Sequence, residues 1–337
     1  MRIAVLTGGA SVEREVALAT GVQVVRALRE AGHEVTAVDT AAGALDRERE
    51  DEIAEAGVGS REPSPPGTAP SPDDLSWLHE PALTSAEVVF LALHGGAGED
   101  GTVQALLDLA GIPYAGSGHL GCALAMDKEV SKRLFRDAGV PTPEWRMAPA
   151  PADGGAEPAD TDGLGWPLIV KPASGGSTLG LTLARGPDEV EPAVEHARRY
   201  GCDVMLERFV AGRELTVGLL EGRPLPVGEI VPEHEIFDYE CKYQPGMARE
   251  IFPADLPEAT AGRLQEAAVR AGRALRLRDV ARIDFILDAE GVAWCLEGNA
   301  LPGMTSNSLL PRAARAAGIS FPELCERICR AGLARSN

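Results

Sequence analysis

The chain has 337 residues, 45% of them hydrophobic, with 51 acidic against 32 basic side chains and a formal net charge of −19. That length suits two or three domains with real cores, and so negative a surface argues against general binding of nucleic acid or anionic lipid. No apolar run approaches the roughly 20 residues of a membrane span, and Cys122, Cys202, Cys241, Cys295, Cys325 and Cys329 form no CxxC pair and no zinc-like spacing with histidine, so they read as reduced cytoplasmic thiols.

Residues 2–7 (RIAVLT) read as a buried strand entering the Gly8-Gly9 turn, not as a signal peptide. Helical spacing follows over 12–31 (Val16, Leu18, Val22, Val25, Leu28), and EVTAVD at 34–39 is a second strand. This βαβ opening predicts a parallel sheet covered by helices. Residues 41–85 interrupt the pattern: 41–56 are acid- and Arg-rich, suiting a solvated helix, and 57–74 hold five prolines between 63 and 72, suiting a surface insertion with little fixed structure. EVVFLAL (87–93) restores a strand, which ends in HGGAGEDG (94–101) before a helix from about 102 to 110. After a helix at 127–138, a second Pro-, Gly- and acid-rich stretch (148–165) precedes the strand WPLIVKP (166–172). Strands are predicted at 203–208 and 213–220, an Ala-rich helix at 256–276, a hairpin of 281–288 with 292–299, and a last helix at 321–332. There are no internal repeats. The reading is a multidomain α/β and α+β protein, with an α/β domain over 1–120, a central unit over 121–212 and a C-terminal unit over 213–335.

Only four of the 32 basic residues are lysines: Lys128, Lys132, Lys171 and Lys242. A coding bias toward Arg is the simplest cause, and a lysine kept against it marks a place where a compact ammonium has a use.

Four segments carry chemistry. Lys171-Pro-Ala-Ser174-Gly175-Gly176-Ser177-Thr178-Leu-Gly180 follows a strand, so its unobstructed amides can wrap phosphate oxygens beside a lysine charge. It lacks the GxxxxGK[ST] of a P-loop, and alone such a stretch is more often a plain loop; GGASVERE likewise lacks GxGxxG. In the C-terminal hairpin, Glu297 and Asn299 leave one face of their strand and Asp284 can join them across the pair. Two carboxylates and an amide oxygen are hard ligands suited to Mg²⁺ on nucleotide phosphates, and Arg282 on the same face can neutralise an oxyanion. The alternative, a solvated polar face, is weakened by the apolar residues around these four. Asn299–Leu310 then forms an irregular loop able to take an anionic substrate end, and Lys242-Tyr243 lies in a polar loop (233–249) of the kind that closes over a site. Taken singly, His94 is as readily a packing histidine and Glu13 an acidic helix start.

Assembled, these segments resemble the D-alanine–D-alanine ligases of the ATP-grasp superfamily. GGASVEREVAL (8–18), LHGGAGEDGTVQALLDLAGIPYAGSG (93–118), ALAMDKEVSK (123–132), IVKPASGGSTLG (169–180), LERFVAGRELTVGLL (206–220), FDYECKY (237–243), ARIDF (281–285) and EGNALPGMTSNSLLP (297–311) occur in the family's order. The resemblance implies an ATP-grasp fold behind a biotin-carboxylase-N-like domain, and cytoplasmic homodimers that use ATP and two Mg²⁺ ions, with Mn²⁺ able to substitute. It assigns ATP phosphates to Lys128, Lys171 and the loop Ser174, Gly175, Gly176, Ser177 and Thr178. Adenine falls to Glu207, Phe209 and Val210, ribose to Glu214, and Mg²⁺ to Asp284, Glu297 and Asn299. Glu13, with His94 nearby, matches the holder of the first D-alanine's ammonium. Arg282 and the Gly303 amide match the oxyanion pair, Ser308 and the Leu309 amide the clamp on the second carboxylate, and Lys242 the contact to the transferred phosphoryl group. Three of the four lysines fall on these roles.

The implied product is D-alanyl-D-alanine for peptidoglycan synthesis, made through D-alanyl phosphate. Tyr243, linked in the family to the positions of Ser177 and Glu13, favours the dipeptide over the D-lactate ester. Ala17 (where Ser is usual), Gly298 (where an apolar residue commonly stands) and Phe237 (where Tyr is frequent) depart from the family pattern, and Gly298 suggests a loosened metal-binding strand. The rival readings are an ATP-grasp ligase for another pair of acids, a catalytically silent nucleotide-binding relative, and an NAD-dependent dehydrogenase suggested only by the βαβ opening.

Overall fold

A computed structural model of the chain describes residues 1–11, 13–56, 75–150, 159–176, 178–200, 203–234 and 246–336. Apolar runs bounded by glycine turns build the first sheet from β1 (Arg2–Thr7), β2 (Glu34–Asp39), β3 (Gly43–Ala44), β4 (Val88–Leu91) and β5 (Tyr114–Ala115), in the order β3-β2-β1-β4-β5. β2, β1, β4 and β5 run parallel, as a βαβ opening requires, and β3 adds an antiparallel edge. Helix α1 (Arg14–Glu30) covers one face through Val22, Val25 and Leu28, all buried as their spacing predicts.

The segment read as an interruption is partly ordered. Helix α2 (Arg47–Ala56) is not wholly solvated, because Glu50 is buried and bonded to Arg29 at 2.5 and 2.9 Å. Short helix α3 (Pro81–Thr84) inserts Leu83 into the core. The helix expected within 41–56 forms at 47–56, with Glu50 buried where a solvated face was expected, and the Pro-rich stretch at 57–74 lies outside the described residues. Helix α4 (Thr102–Ala110) occupies the predicted span.

Helices α5 (His119–Met126) and α6 (Lys128–Asp137) lead to an antiparallel sheet of β6 (Trp145–Met147), β7 (Leu168–Pro172), β8 (Thr182–Ala184) and β9 (Val204–Arg208), ordered β6-β9-β7-β8 and backed by α7 (Val190–Arg198). The Asp127 side chain accepts the Val130 amide at 3.0 Å and caps α6, a contact worth about 1 kcal/mol. The third sheet holds β10 (Arg213–Leu220), β11 (Arg223–Pro224), β12 (Gly228–Pro232), β13 (Ala248–Ile251), β14 (Val280–Leu287) and β15 (Ala293–Asn299). Its order is β13-β12-β10-β14-β15, with β11 paired to β10. Helix α8 (Glu258–Ala274) packs its alanine face onto this sheet beside Phe135 of α6.

Helices α9 (Leu309–Ala316) and α10 (Phe321–Ser336) return to the first sheet, where Leu310, Leu324 and Ile328 share one core with Ile3, Val5 and Phe90. The chain's last helix therefore locks the N-terminal sheet to the C-terminal one. Arg335 of α10 adds bonds to the Tyr114 carbonyl at 3.1 Å and to the Asp279 carboxylate, which in turn accepts the Gly116 amide at 2.8 Å. Among the described residues, no helix is long and apolar enough to cross a membrane.

Candidate active site

A cavity of about 380 Å³ lies between the β7–β9 wall and the face of the third sheet. The strand ends and the glycine loop bring 14 of the sequence-predicted residues to its lining: Lys128, Lys171, Ser174, Gly175, Gly176, Thr178, Glu207, Phe209, Val210, Glu214, Arg282, Asp284, Glu297 and Leu309.

The predicted hairpin forms, with Asp284 opposite Glu297 and Arg282 opposite Asn299. The register shifts just beyond Asp284, because Phe285 pairs with Cys295 and leaves Leu296 extra. Such a bulge lets two consecutive residues, Leu296 and Glu297, face the same cavity. Asp284 is densely held: Thr216 donates to it at 2.7 Å, Arg282 at 3.0 and 2.9 Å, and the Asn299 amide at 3.0 Å. Burial works against the charge of Arg282, but Asp284 beside it outweighs that cost and raises the guanidinium's pKa. Among the described residues no group of three His, Cys, Asp or Glu is placed to hold an ion. Two carboxylates and one amide nonetheless fit a divalent cation whose remaining ligands are phosphate and water oxygens.

Gly298, where the family pattern commonly has an apolar side chain, stands in a closely packed place. A Cβ there would fall 2.7 Å from Leu275 and 3.1 Å from Ile283, so the missing side chain lets the hairpin press directly onto the end of α8. Ala17 is fully buried, and its carbonyl accepts the Thr7 hydroxyl at 2.6 Å.

Opposite the hairpin, the Lys128 ammonium donates to the Gly175 carbonyl at 2.6 Å and lies 3.7 Å from Glu297. It joins the glycine loop to the hairpin. Within that loop Thr178 holds φ +60°, a left-handed conformation unusual for a β-branched residue and of the kind found at ligand clamps. Lys171 donates to Glu207 at 2.7 Å, and Lys132 approaches the other Glu207 oxygen to 2.6 Å. Burial pushes the Glu207 carboxyl up, yet the two ammonium groups outweigh it and hold its pKa down to about 2. Sequence reasoning had given Glu207 to adenine alone and Lys132 no role.

Of the other predicted residues that the structure describes, Glu13, His94, Asn299, Gly303 and Ser308 lie outside that lining. Glu13, 8% exposed at the start of α1, has its carboxylate against the 94–98 turn. A Cβ on Gly95 (φ +68°) would fall 2.6 Å from its oxygen, and one on Gly176 would fall 3.7 Å away. His94 shares a hydrogen bond with Thr20 at 3.1 Å and lies 3.5 Å from Glu99, an acid the sequence reading quoted without a role. The Gly303 backbone lies against Ser308, whose hydroxyl bonds that of Thr305 at 2.8 Å. Leu309 opens α9, where first-turn amides lack intrahelical acceptors. Ser177, Phe237, Lys242 and Tyr243 lie outside the described residues. At the end of β2, Asp39 accepts the Gly9 and Ala41 amides at 3.3 and 2.9 Å and pairs with Arg14. A dinucleotide ribose is thereby denied the carboxylate it would need.

The chain matches two family models, D-ala D-ala ligase N-terminus over residues 2–117 and D-ala D-ala ligase C-terminus over 134–330. It is 43% identical over 330 residues to the D-alanine–D-alanine ligase of Gloeobacter violaceus, covering 97% of this chain and 98% of that one. With the ligase of Anaeromyxobacter dehalogenans it shares 41% identity over 327 residues, 97% and 95% of the two chains. The crystal structure of D-alanine–D-alanine ligase from Bacillus anthracis complexed with ATP superposes with a TM-score of 0.77 at 29% identity, covering 100% of this chain and 98% of that one. With both halves matched and near-complete coverage, the chain belongs to the D-alanine–D-alanine ligase family.

Proposed function

We propose that this chain joins two D-alanines to D-alanyl-D-alanine with ATP, releasing ADP and phosphate, for peptidoglycan precursor synthesis. The observation that carries this reading is the cavity itself. Two carboxylates and an arginine stand on one wall, the Asn299 amide donates to Asp284 behind them, and Lys128, Lys171 and a glycine loop lie beside them.

In the first step a D-alanine carboxylate oxygen attacks the γ-phosphorus of ATP, giving D-alanyl phosphate and ADP. Lys128, Lys171 and the amides of Ser174, Gly175, Gly176, Ser177 and Thr178 hold the phosphates, and Lys242 meets the transferred group. Phe209, Val210 and Glu207 receive adenine, and Glu214 takes ribose. Asp284, Glu297 and Asn299 would hold Mg²⁺, or Mn²⁺ in its place, which when bound neutralises phosphate charge. Glu13 fixes the first ammonium, with His94, Ser177 and Tyr243 around it. In the second step the amine of the other D-alanine, held through its carboxylate by Ser308 and the Leu309 amide, attacks the acyl carbon. Arg282 and the Gly303 amide favour the tetrahedral oxyanion, and phosphate leaves. The resemblance also implies a cytoplasmic homodimer, and light scattering after size exclusion tests the dimer.

D-Alanine labelled with ¹⁸O in its carboxylate tests the acyl phosphate step. One label must appear in the released phosphate; phosphate without label would contradict the reading.

A further inference from the structure

Lys132 is the one lysine of α6 to which the reaction gives no task, and it is fully buried. Its ammonium donates to Thr142 Oγ1 at 2.7 Å and lies 2.6 Å from Glu207, as a close ion pair more than an aligned hydrogen bond. The Trp145 ring covers it at 5.3 Å. Glu207 in turn accepts Lys171, whose ammonium lines the cavity. The Thr142 hydroxyl in turn donates to the Cys295 carbonyl at 2.8 Å, two residues before Glu297.

Two ammonium groups sharing one carboxylate carry a net positive charge. A Lys171–Glu207 pair alone would be neutral and offer an anion little. Burial pushes the pKa of Lys132 down, and Glu207 opposes that shift. An ammonium withdrawn from water this completely is costly unless its partners are excellent, so its placement needs a reason beyond packing.

We propose that Lys132 is a positioning residue for the nucleotide's phosphates: by sharing Glu207 it leaves positive charge on Lys171 facing the cavity, and through Thr142 it ties that charge to the strand carrying Glu297. The inference rests on the nucleotide reading of the cavity.

Calorimetric titration with ADP and with adenosine, at constant Mg²⁺, tests it on the full chain. In Lys132→Met the affinity for ADP falls roughly tenfold, as expected for one charge removed at short range, while adenosine stays within about twofold. In Lys132→Met combined with Glu207→Gln, the ratio of ADP to adenosine affinity returns to the wild-type value, because Lys171 is no longer neutralised. Equal loss of both ligands in Lys132→Met, or an unrestored ratio in the double variant, would overturn the proposal and reduce Lys132 to a packing role. If Lys132→Met does not fold, Glu207→Gln alone decides: the ratio must rise above wild type, and an unchanged ratio overturns the proposal. A wild-type chain that binds neither ligand would instead sink the nucleotide reading itself, and this inference with it.

Discussion

Asp284 stands directly opposite Glu297 across the β14–β15 ladder, and the register slips immediately beyond them. The bulge turns Glu297 into the cavity beside Leu296, while Arg282, two residues before Asp284, holds both oxygens of the Asp284 carboxylate. The hairpin therefore presents negative and positive charge side by side, suiting it both to hold a cation and to meet an oxyanion.

Arg282→Ala removes an oxyanion donor and a partner of Asp284. Steady-state assay should show kcat reduced about 10²–10³-fold, and thermal melting a loss of about 2 kcal/mol for the broken charged bonds. Near wild-type turnover in a folded variant would refute the assignment.

Gly298→Val fills space that Leu275 and Ile283 already occupy. Overpacking of this kind costs about 1–3 kcal/mol, so the melting temperature should fall by several degrees. An unchanged melting temperature would mean the hairpin does not press on α8 as closely as described.

The acid limb of stability should carry the mark of Glu207, whose carboxyl is held down to about 2 by Lys132 and Lys171 against the effect of burial. A carboxylate depressed in the folded state contributes fully above its unfolded pKa near 4.3 and loses that contribution as pH falls toward 2. Up to about 3 kcal/mol is at stake on that scale. Unfolding of the wild type and Glu207→Gln, compared from pH 2 to 5, should show the two curves converging at the acid end; a constant gap would contradict the ion pairs.

Cys122, Cys295, Cys325 and Cys329 are free and buried, and burial pushes the Cys122 thiol up to about 12 and the others up as well. A thiol reagent should modify at most two of the six cysteines in the native chain and all six after denaturation. Three or more native labels would refute this core.

Much of this site was legible because its chemistry sits on periodic elements. The hairpin of Asp284 and Glu297 follows from alternation, and the glycine loop from its composition. What escaped depends on partners far along the chain. Lys132 looks like a solvated lysine on a charged helix until Glu207, 75 positions on, arrives on β9 to bury it. The bulge after Asp284 has no local signature, and β12 and β13 form only against neighbours in their sheet. The surroundings of Gly298 were hidden for a related reason: its closeness to Leu275 is tertiary, invisible in a strand pattern.

The most direct test of the account is phosphate release from MgATP with D-alanine, L-alanine, D-serine, or D-alanine plus D-lactate, each product identified by mass. The account predicts turnover with D-alanine alone and a product of the mass of D-alanyl-D-alanine. Turnover only with another pair, or none with any despite ATP binding, would contradict it.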